Sequence, residues 1–414
     1  MFGLADCNNF FVSCERTRDP RLERRPVVVL SNNDGCVIAR SNEAKALGVK
    51  MGQPAFQIKD LIADGRLLAL SGDHLLYRSL SMKVHDIFRR FAPSTQDYSV
   101  DEAFLDMDGI PPGELYNIGT EIYRCCLSEL GLPVTIGFAP TKTLAKIVTE
   151  TCKKRGRPTG VITDPLDAIP VMSEMPIGEL WGVGRRLAKK LYVNGMHTIA
   201  DFAAKDRRWI RSALGVTGER SWLELHGTPC ITLEHTEHAL QDSISESRTF
   251  PEDVTDYDYV RARVSIYTAD CAKKLRTMKG VCRRIGVFLS TNPFRSDISR
   301  RTFSAAMDLD DWTDDTLILI QAAENVLDSI FITDIPLKRA GIWMDNIKDR
   351  RSIPPSLFVQ PEVLARKSVH SRLMKAIDSI NTVPGSQSLK LASQLVNGHP
   401  GHNDGYSSSF QSPK

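Results

Sequence analysis

The first part of the chain alternates between short apolar runs and longer segments with helical spacing. Residues 26–30 form a continuous apolar run, which is typical of a buried strand. From Tyr77 to Phe91, apolar residues recur every three or four positions and predict an amphipathic helix. Residues 115–130 and 142–154 also have helical spacing, and a strand is predicted between them at residues 134–138. Because strands alternate with long helices, we expect helices packed on a sheet.

The pattern changes after residue 165, where short helical stretches are separated by Gly and Pro. Residues 166–229 are predicted to form a small helical domain, and residues 230–242 form a linker without clear periodicity. From residue 243 to residue 350 the predicted order is strand, helix, strand, strand, helix, strand, which is the split βαβ unit. Residues 351–414 contain one predicted helix at 369–380 and an end rich in Ser, Gly and Asn, so we expect a flexible, partner-binding tail.

The composition is that of a soluble globular protein with several domains. The chain has 414 residues, of which 42% are hydrophobic and 25% are charged. No run approaches the 18 or so consecutive apolar residues of a membrane-spanning helix, so we expect no membrane partner and a cytoplasmic location. The nine cysteines are scattered without a CxxC pair, which argues against a disulfide framework and a four-cysteine zinc site.

The charge is distributed unevenly, although the formal net charge is only +3. Residues 261–301 contain eleven Lys or Arg and two Asp, whereas residues 302–334 contain eight Asp or Glu and no Lys or Arg. A dense basic patch is what binding to a polyanion needs, because each neutralised phosphate releases counterions. The alternative is a solvated surface held by salt bridges.

Three acidic residues stand in apolar surroundings. Asp6 ends the short apolar run of residues 1–6, and Asp101 and Glu102 lie within an otherwise apolar segment. Carboxylate oxygens are the ligands that Mg²⁺ prefers, and three carboxylates suit two ions that act together in a phosphoryl displacement. The alternative is that Asp101 caps a turn and Glu102 is merely exposed.

Several ordered motifs make the chain similar to the UmuC-type Y-family translesion DNA polymerases. Residues 6–11 (DCNNFF) and 99–104 (SVDEAF) resemble the two catalytic motifs of that family. Residues 26–52, 141–146 and 181–186 also resemble family segments, and residues 373–378 do so weakly. The resemblance implies an α+β multidomain, right-hand polymerase fold. Its expected parts are a palm (1–20 and 76–165), fingers (21–75), a helical thumb with a helix-hairpin-helix element (166–229) and a βαββαβ little finger (243–350).

The resemblance also assigns roles to residues around the predicted active site. It implies that the catalytic residues hold two Mg²⁺ ions with help from a backbone carbonyl, that two lysines contact the incoming triphosphate, and that an aromatic ring excludes ribonucleotides. The metal ligands would be Asp6, Asp101, Glu102 and the carbonyl of Cys7. The nucleotide contacts would be Lys45, Lys153, Asn42, the steric gate Phe11 and its neighbour Phe10, which we expect mainly in the core. Many relatives have Tyr at the position of Asn42.

DNA contacts are expected on the thumb and the little finger. The Gly-x-Gly turn before a basic helix suits a phosphate at a helix N-terminus, and the little finger of this family lies along the DNA major groove. The residues concerned are Gly182, Gly184, Arg185, Arg186 and Lys189 in the thumb and Arg248, Arg283 and Arg284 in the little finger. In the tail, Leu357 and Phe358 partly match the peptide by which relatives bind the sliding clamp.

The implied function is error-prone DNA synthesis opposite damaged template during the SOS response. Its substrates would be a primed DNA template and a dNTP, and a UmuD-type accessory dimer and a RecA filament would be partners. Small residues in the predicted fingers, namely Ile38, Ala39 and Ala44, favour a loose roof over the nascent base pair. Two alternatives stay open: a DNA-binding scaffold at stalled forks with weak catalysis, and another palm-based enzyme such as a nucleotide cyclase.

Overall fold

The computed structural model divides the chain into two compact units at residues 236–237. It describes residues 1–31, 34–233, 240–353, 361–381 and 389–395, and side chains for all of these except 361–367. Leu357 and Phe358, which were predicted to bind a clamp, lie outside the described residues. Within the described ranges, every helix is too short or too polar to cross a lipid bilayer.

The first unit combines two sheets with helices on both sides. Its strands are β1 (Phe2–Cys7), β2 (Val27–Leu30), β3 (Val37–Arg40), β4 (Leu68–Ser71), β5 (Ser94–Asp97), β6 (Glu102–Asp106), β7 (Val134–Ala139) and β8 (Thr159–Val161). Its helices are α1 (Phe10–Arg18), α2 (Asn42–Ala46), α3 (Lys59–Ala63), α4 (His74–Arg89), α5 (Leu115–Leu130), α6 (Lys142–Lys154), α7 (Ile169–Glu174), α8 (Arg185–Val193), α9 (Ile199–Ala203) and α10 (Arg207–Leu225).

The larger sheet has the strand order β5-β6-β1-β7-β8, with β1 antiparallel to both of its neighbours. Neighbouring residues on a strand point to opposite faces, and the side chains on the two faces of β1 therefore pack in different hydrophobic cores. Leu4 packs with residues of α6, whereas Ala5 packs with residues of α4 and α5. The central strand is therefore buried on both sides, which explains its continuous apolar sequence.

A smaller sheet lies within the predicted fingers, residues 21–75. Its order is β3-β2-β4, and β4 runs parallel to β2. Val28 and Leu30 of β2 form the core of this part together with Ala44 of α2. Helix α2 begins where the Ser41 hydroxyl accepts a hydrogen bond from the backbone N–H of Ala44 at 3.1 Å. This cap fixes the helix that carries Asn42.

Helices α7 to α10 form the predicted helical region, and a buried glutamate ties its last helix to the large sheet's helix α6. Glu224 is 0% exposed, and its carboxylate accepts hydrogen bonds from the backbone N–H groups of Thr143 (3.0 Å), Cys230 (2.6 Å) and Ile231 (3.1 Å). The Thr141 hydroxyl, which caps α6, donates to the Glu224 carbonyl at 2.8 Å. One side chain thus connects the start of α6, the end of α10 and the segment that follows it.

Replacing Glu224 by alanine is expected to lower the free energy of unfolding by about 3 kcal/mol or more, because three buried N–H groups lose their acceptor. Urea unfolding followed by tryptophan fluorescence measures this, since Trp222 lies on the same helix. Glu121→Ala is the matched control, because Glu121 is 52% exposed and pairs only loosely with Arg124, at 3.5 Å. A loss below about 1 kcal/mol for Glu224→Ala would contradict this role.

The second unit is a four-stranded antiparallel sheet with two helices against one face. Its elements are β9 (Ser243–Val254), α11 (Tyr257–Thr277), β10 (Gly280–Thr291), β11 (Thr302–Thr313), α12 (Thr316–Ile330) and β12 (Leu337–Asp349), followed by α13 (Pro361–Ile380). The sheet order is β11-β10-β12-β9. Apolar residues such as Val287 and Ile342 fill the space between the sheet and α11 and α12. The predicted βαββαβ order is therefore present, with longer strands than the pattern indicated.

The helix in the tail is longer than predicted and is held to the rest of the second unit. The sequence predicts a helix at residues 369–380 in a flexible tail, whereas α13 begins at Pro361 and ends at Ile380. Arg276 of α11 binds the Asp378 carboxylate through two hydrogen bonds, of 2.6 and 2.8 Å. His370 contacts Asp315 at 2.6 Å, and Met374 is 2% exposed. The prediction of a flexible tail is corrected for α13.

Candidate active site

Strand pairing brings two of the three predicted catalytic carboxylates together. In the antiparallel pair of β1 and β6, Asp6 lies directly opposite Glu102. Directly opposite residues share one face of a sheet, with β-carbons about 5 Å apart. Asp6 is on the same face as Leu4, and Leu4 packs against α6. The two carboxylates therefore lie at the end of the sheet on the side covered by α6.

Helix α6 supplies two lysines to this carboxylate pair. Lys146 and Lys153 are seven residues apart, which is about two helical turns, so they lie on one side of α6. The Lys153 Nζ is 2.5 Å from the Asp6 Oδ2, and the Lys146 Nζ donates to the Glu102 Oε1 at 2.7 Å. Each carboxylate thus has its own ammonium partner.

The two carboxylates differ in how tightly they hold a proton. Burial raises the pKa of Asp6 well above its usual range, and the negative charge of Glu102 raises it further, against the opposing effect of Lys153. Burial also acts to raise the pKa of Glu102, but hydrogen bonds from Asp6 and Lys146 lower it below its usual value. Asp6 is buried and Glu102 is half-buried, and two carboxylates in contact favour sharing one proton unless more positive charge is present.

Asp101 lies in the turn between β5 and β6, beside this pair. Its backbone carbonyl accepts a hydrogen bond from the Cys7 N–H at 2.9 Å, and its carboxylate accepts one from the Ser99 hydroxyl at 2.5 Å. In the part of the chain that the structure describes, no three His, Cys, Asp or Glu side chains converge into a metal cluster. Asp6 and Glu102 are therefore brought together, while the Asp101 backbone adjoins them and its carboxylate is directed to Ser99.

The donor atoms at this site fit a hard divalent cation. Cys7 is 2% exposed, and burial raises the pKa of its thiol well above the usual range, which favours the protonated thiol over the thiolate that binds metals. The remaining donors are carboxylate oxygens and the Cys7 carbonyl oxygen, which are the ligands that Mg²⁺ takes. A divalent cation would also oppose the rise in the pKa of Asp6 that burial causes, because a nearby positive charge favours the ionised carboxylate.

A hydrogen-bonded cluster of polar residues lies next to the carboxylates. The Lys45 Nζ donates to the Asn9 Oδ1 at 2.6 Å, and the Asn9 amide donates to the Asn42 Oδ1 at 3.1 Å. Burial lowers the pKa of Lys45, and the charges of Arg40 and Lys153 lower it further. Several cations that repel one another at close range form a favourable site for a polyanion such as a triphosphate.

The predicted steric gate, Phe11, is held by a second aromatic ring. Its ring stacks on Tyr77 with centroids 4.4 Å apart and an angle of 13° between the planes. The Tyr77 hydroxyl donates to the Glu15 Oε1 at 2.6 Å, which fixes the Tyr77 ring from its other end. Phe10 is only 3% exposed and lies in the core, where the sequence mainly placed it.

The predicted thumb contacts lie at the start of α8. Gly182 has φ of 88°, a conformation that favours glycine, and Gly184 caps the helix. Arg185, Arg186 and Lys189 are exposed, whereas Ala188 and Leu191 are buried. Before the turn, the Trp181 indole N–H donates to the Tyr98 hydroxyl at 3.0 Å, which joins this turn to the β5–β6 turn.

The three arginines predicted to contact DNA in the second unit have different surroundings. Arg248 pairs with Glu246 at 3.1 Å, on the face of β9 that also carries the buried Ile244. The Arg283 Nε donates to the Leu309 carbonyl at 3.3 Å. Arg284 stands on the opposite face of the sheet, between acidic residues. The structure therefore separates these residues rather than gathering them into one cluster.

Sequence reasoning did not assign roles to several residues of the site, among them Asn9, Tyr77 and Lys146. Asn9 lies within the first catalytic motif and has a left-handed conformation, with φ of 49°. Its neighbour Asn8 offers the same side chain, so sequence alone does not indicate which one faces Lys45. Lys146 could have been found from its spacing to Lys153 on one predicted helix. Tyr77 gives no signal of its own, because a buried ring on an amphipathic helix is ordinary core.

Comparison with known proteins agrees with this geometry. Residues 5–150 match the model of the impB/mucB/samB family, and residues 241–356 match the C-terminal domain of the same family. Protein UmuC of Salmonella typhimurium strain LT2 is 37% identical over 399 residues, which cover 95% of this chain and 93% of that protein. Protein ImpB of Salmonella typhimurium is 36% identical over 390 residues, covering 92% of this chain and 90% of the relative.

The fold has a counterpart among solved structures. A Y-family DNA polymerase chimera, Dbh-Dpo4(243-245)-Dbh, superimposes with a TM-score of 0.67 at 22% identity, covering 84% of this chain and 99% of the chimera. The predicted right-hand polymerase fold is thereby confirmed. With relatives above 30% identity over nine-tenths of its length, this chain belongs to the impB/mucB/samB family, the UmuC-type Y-family DNA polymerases.

Proposed function

We propose that the protein is a DNA-directed DNA polymerase that extends a primer opposite damaged template, with Asp6, Asp101 and Glu102 as its metal-binding residues. Its relatives include proteins named DNA polymerase IV, such as that of Bacillus subtilis at 29% identity over 72% of this chain. The observation that carries the proposal is the carboxylate pair of the buried Asp6 and the half-buried Glu102, beside the cationic cluster around Lys45. A polymerase needs both, one for metal and one for triphosphate.

The chain's own residues account for substrate binding and orientation. Lys45 and Lys153 neutralise phosphate charge, and Asn9 and Asn42 hold Lys45 in place. Two Mg²⁺ ions, held by Asp6, Asp101, Glu102 and the Cys7 carbonyl, would activate the primer 3′-hydroxyl and stabilise the leaving pyrophosphate. Lys153 pairs with Asp6 at 2.5 Å, and with a cation bound at Asp6 its ammonium group would be available to the triphosphate. Phe11, backed by Tyr77, limits the space beside the sugar.

The proposal also includes DNA and protein partners. The exposed basic start of α8 suits the phosphates of a primer-template duplex, since backbone N–H groups at a helix N-terminus favour anions. A UmuD-type accessory dimer and a RecA filament are proposed as partners from the similarity to UmuC, within an SOS role. A sliding clamp is proposed from the partial peptide match at Leu357 and Phe358.

The proposal is tested by primer extension on a template with an abasic site, with Mg²⁺ and each dNTP, with and without a UmuD-type dimer and activated RecA. We expect Mg²⁺-dependent extension past the lesion. If no primer is extended on damaged or undamaged template under any of these conditions, although DNA is bound in a salt-sensitive way, the protein is a scaffold and the proposal is wrong.

Replacing Lys45 by alanine is expected to raise the KM for dNTP by about tenfold or more, because a charge-assisted contact to phosphate is lost. Steady-state extension with varied dNTP measures this. Lys50→Ala is the control, since Lys50 is exposed in the same small domain and is expected to leave KM unchanged. Equal KM values for Lys45→Ala and the unaltered chain would remove Lys45 from the site.

A further inference from the structure

The turn before α8 carries a tryptophan whose ring lies against the large sheet. The Val183 N–H donates to the Leu180 carbonyl at 2.9 Å, and Gly182 has φ of 88°, which places Trp181 and Gly182 at the two central positions of a tight turn. Trp181 is half-buried, whereas Arg185 begins the exposed basic helix directly after the turn. One short turn thus connects the proposed phosphate contacts to a ring packed on the sheet.

Trp181 belongs to a group of three aromatic rings in mutual contact. The centroid of its ring lies 5.6 Å from that of Phe104 and 5.6 Å from that of Tyr98, and the Phe104 and Tyr98 centroids are 5.3 Å apart. The Trp181 and Tyr98 rings meet edge to face, at 88°, and the indole N–H donates to the Tyr98 hydroxyl at 3.0 Å. Because Phe104 is 0% exposed, it gives the other two rings a rigid surface to pack on.

Tyr98 is part of the turn that carries two of the candidate metal ligands. Its backbone N–H donates to the Glu102 carbonyl at 3.0 Å, which closes the turn around Asp101. The Lys146 ammonium, which donates to the Glu102 Oε1 at 2.7 Å, lies 5.2 Å from the centre of the Tyr98 ring. A cation at that distance from the face of an aromatic ring is attracted to it. Tyr98 is therefore linked to Glu102 twice, through the backbone and through Lys146.

The position of the Tyr98 ring depends on these polar contacts. Tyr98 is 42% exposed, so packing against the core does not hold it on every side. Its hydroxyl accepts the Trp181 hydrogen bond, and its ring attracts the Lys146 ammonium. Removing either polar group of the hydrogen bond between Trp181 and Tyr98 would therefore free the ring on one side without leaving a cavity in the core.

We infer that Trp181 and Tyr98 are positioning residues that couple the binding of duplex DNA at the start of α8 to the binding of a divalent cation by Glu102. The roles of the DNA and of the cation rest on the proposed function. A duplex held by α8 restrains the turn that contains Trp181, and the hydrogen bond to Tyr98 then restrains the turn between β5 and β6. A carboxylate that is already held in position loses less conformational freedom when it binds a cation.

Coupling between two ligands is reciprocal, so it can be measured from the DNA side. A labelled primer-template duplex is titrated with the full chain, with and without Mg²⁺ at constant ionic strength and without dNTP. Fluorescence anisotropy gives two dissociation constants, and their ratio is here called the coupling factor. The attraction of the DNA itself for Mg²⁺ is the same for every variant, so it cancels when factors are compared. We expect the factor of the unaltered chain to exceed that of Glu102→Gln about tenfold, and equal factors would overturn the inference.

Two conservative substitutions remove the hydrogen bond and keep the rings. Trp181→Phe retains a ring on Phe104 but loses the indole N–H, and Tyr98→Phe retains a ring beside Lys146 but loses the hydroxyl. Each is expected to lower the coupling factor about fivefold, which is the effect of losing one hydrogen bond. The double variant should have the same factor as either single variant, because both substitutions remove the same hydrogen bond. Losses that multiply in the double variant would contradict a shared path.

Two controls separate this coupling from the general effect of removing a polar group. Trp209→Phe changes a tryptophan of α10 that lies beside the Lys205 ammonium, and Tyr116→Phe changes a 55% exposed tyrosine of α5. Both should keep the coupling factor of the unaltered chain. If the hydrogen bond between Trp181 and Tyr98 only stabilises the fold, the variants that lack it unfold at lower urea concentration but keep that factor, and the inference is wrong.

Primer extension by the unaltered chain separates this inference from the proposed function. Extension, with equal coupling factors for the unaltered chain and Tyr98→Phe, refutes only the inference. No extension, with a coupling factor that Tyr98→Phe lowers, refutes only the proposed function. Because Tyr98→Phe leaves all three rings in place, it decides the question even if Trp181→Phe does not fold.

Discussion

Asp101→Ala is expected to lower the rate of primer extension by about a thousandfold or more, while DNA affinity changes by less than about twofold. A carboxylate that holds a catalytic cation contributes several kcal/mol to the transition state, and each 1.4 kcal/mol or so corresponds to a factor of ten in rate. The Asp101 side chain is partly exposed, and its hydrogen bond is to the Ser99 hydroxyl. Its loss should therefore leave the fold intact.

Single-turnover extension and fluorescence anisotropy with labelled primer-template measure the two quantities separately. Asp106→Asn is the matched control, because Asp106 lies at the far end of β6, opposite Phe2. It should extend primers at the rate of the unaltered chain. If Asp101→Ala retained extension within about tenfold of that rate, the carboxylate would not be a metal ligand.

Phe11→Ala is expected to reduce discrimination against ribonucleotides by about a hundredfold. The Phe11 ring is held against Tyr77 at 4.4 Å, so it has little freedom to move aside for a 2′-hydroxyl. Removing the ring opens a space larger than a hydroxyl group, so the 2′-hydroxyl of a ribonucleotide would no longer clash with the protein. The ratio of kcat/KM values for dNTP and rNTP measures the effect.

Tyr77→Phe is the control for this prediction. It keeps the ring that backs Phe11 and removes only the hydroxyl that donates to Glu15 at 2.6 Å. Discrimination should then stay close to that of the unaltered chain. If Phe11→Ala selected dNTP as strongly as the unaltered chain, Phe11 would be a packing residue and the gate would lie elsewhere.

The geometry of the carboxylate pair could be predicted from the sequence only in part. A single apolar run ending in Asp6 and an apolar segment around Glu102 predict two strand ends with acidic residues, and the structure places these two residues opposite each other. The pairing partner of each lysine on α6 could not be predicted, because it depends on how the helix packs across the sheet. The same holds for the left-handed conformation of Asn9, since Asn8 and Asn9 are identical in sequence terms.

The second unit shows a different limit. The order of its six elements follows from local periodicity, whereas the sheet order β11-β10-β12-β9 depends on contacts between segments far apart in the chain. Trp343 packs against Gly286 of the neighbouring strand and Phe288 against Gly341, and a local pattern does not show which residues become cross-strand neighbours. The attachment of α13 could not be predicted for the same reason, because Asp378 bonds to Arg276, which lies about a hundred residues away in the sequence.

The attachment of α13 affects how deletion phenotypes should be interpreted. Arg276 is 12% exposed on its side chain and bonds to Asp378, to the Asp314 carbonyl and to the Thr316 hydroxyl. A chain shortened before Pro361 would leave this guanidinium without its carboxylate and would uncover the surface beneath Met374. A loss of mutagenesis on shortening the tail would therefore mix a folding defect with a lost interaction. Point substitutions beyond residue 381 would separate the two.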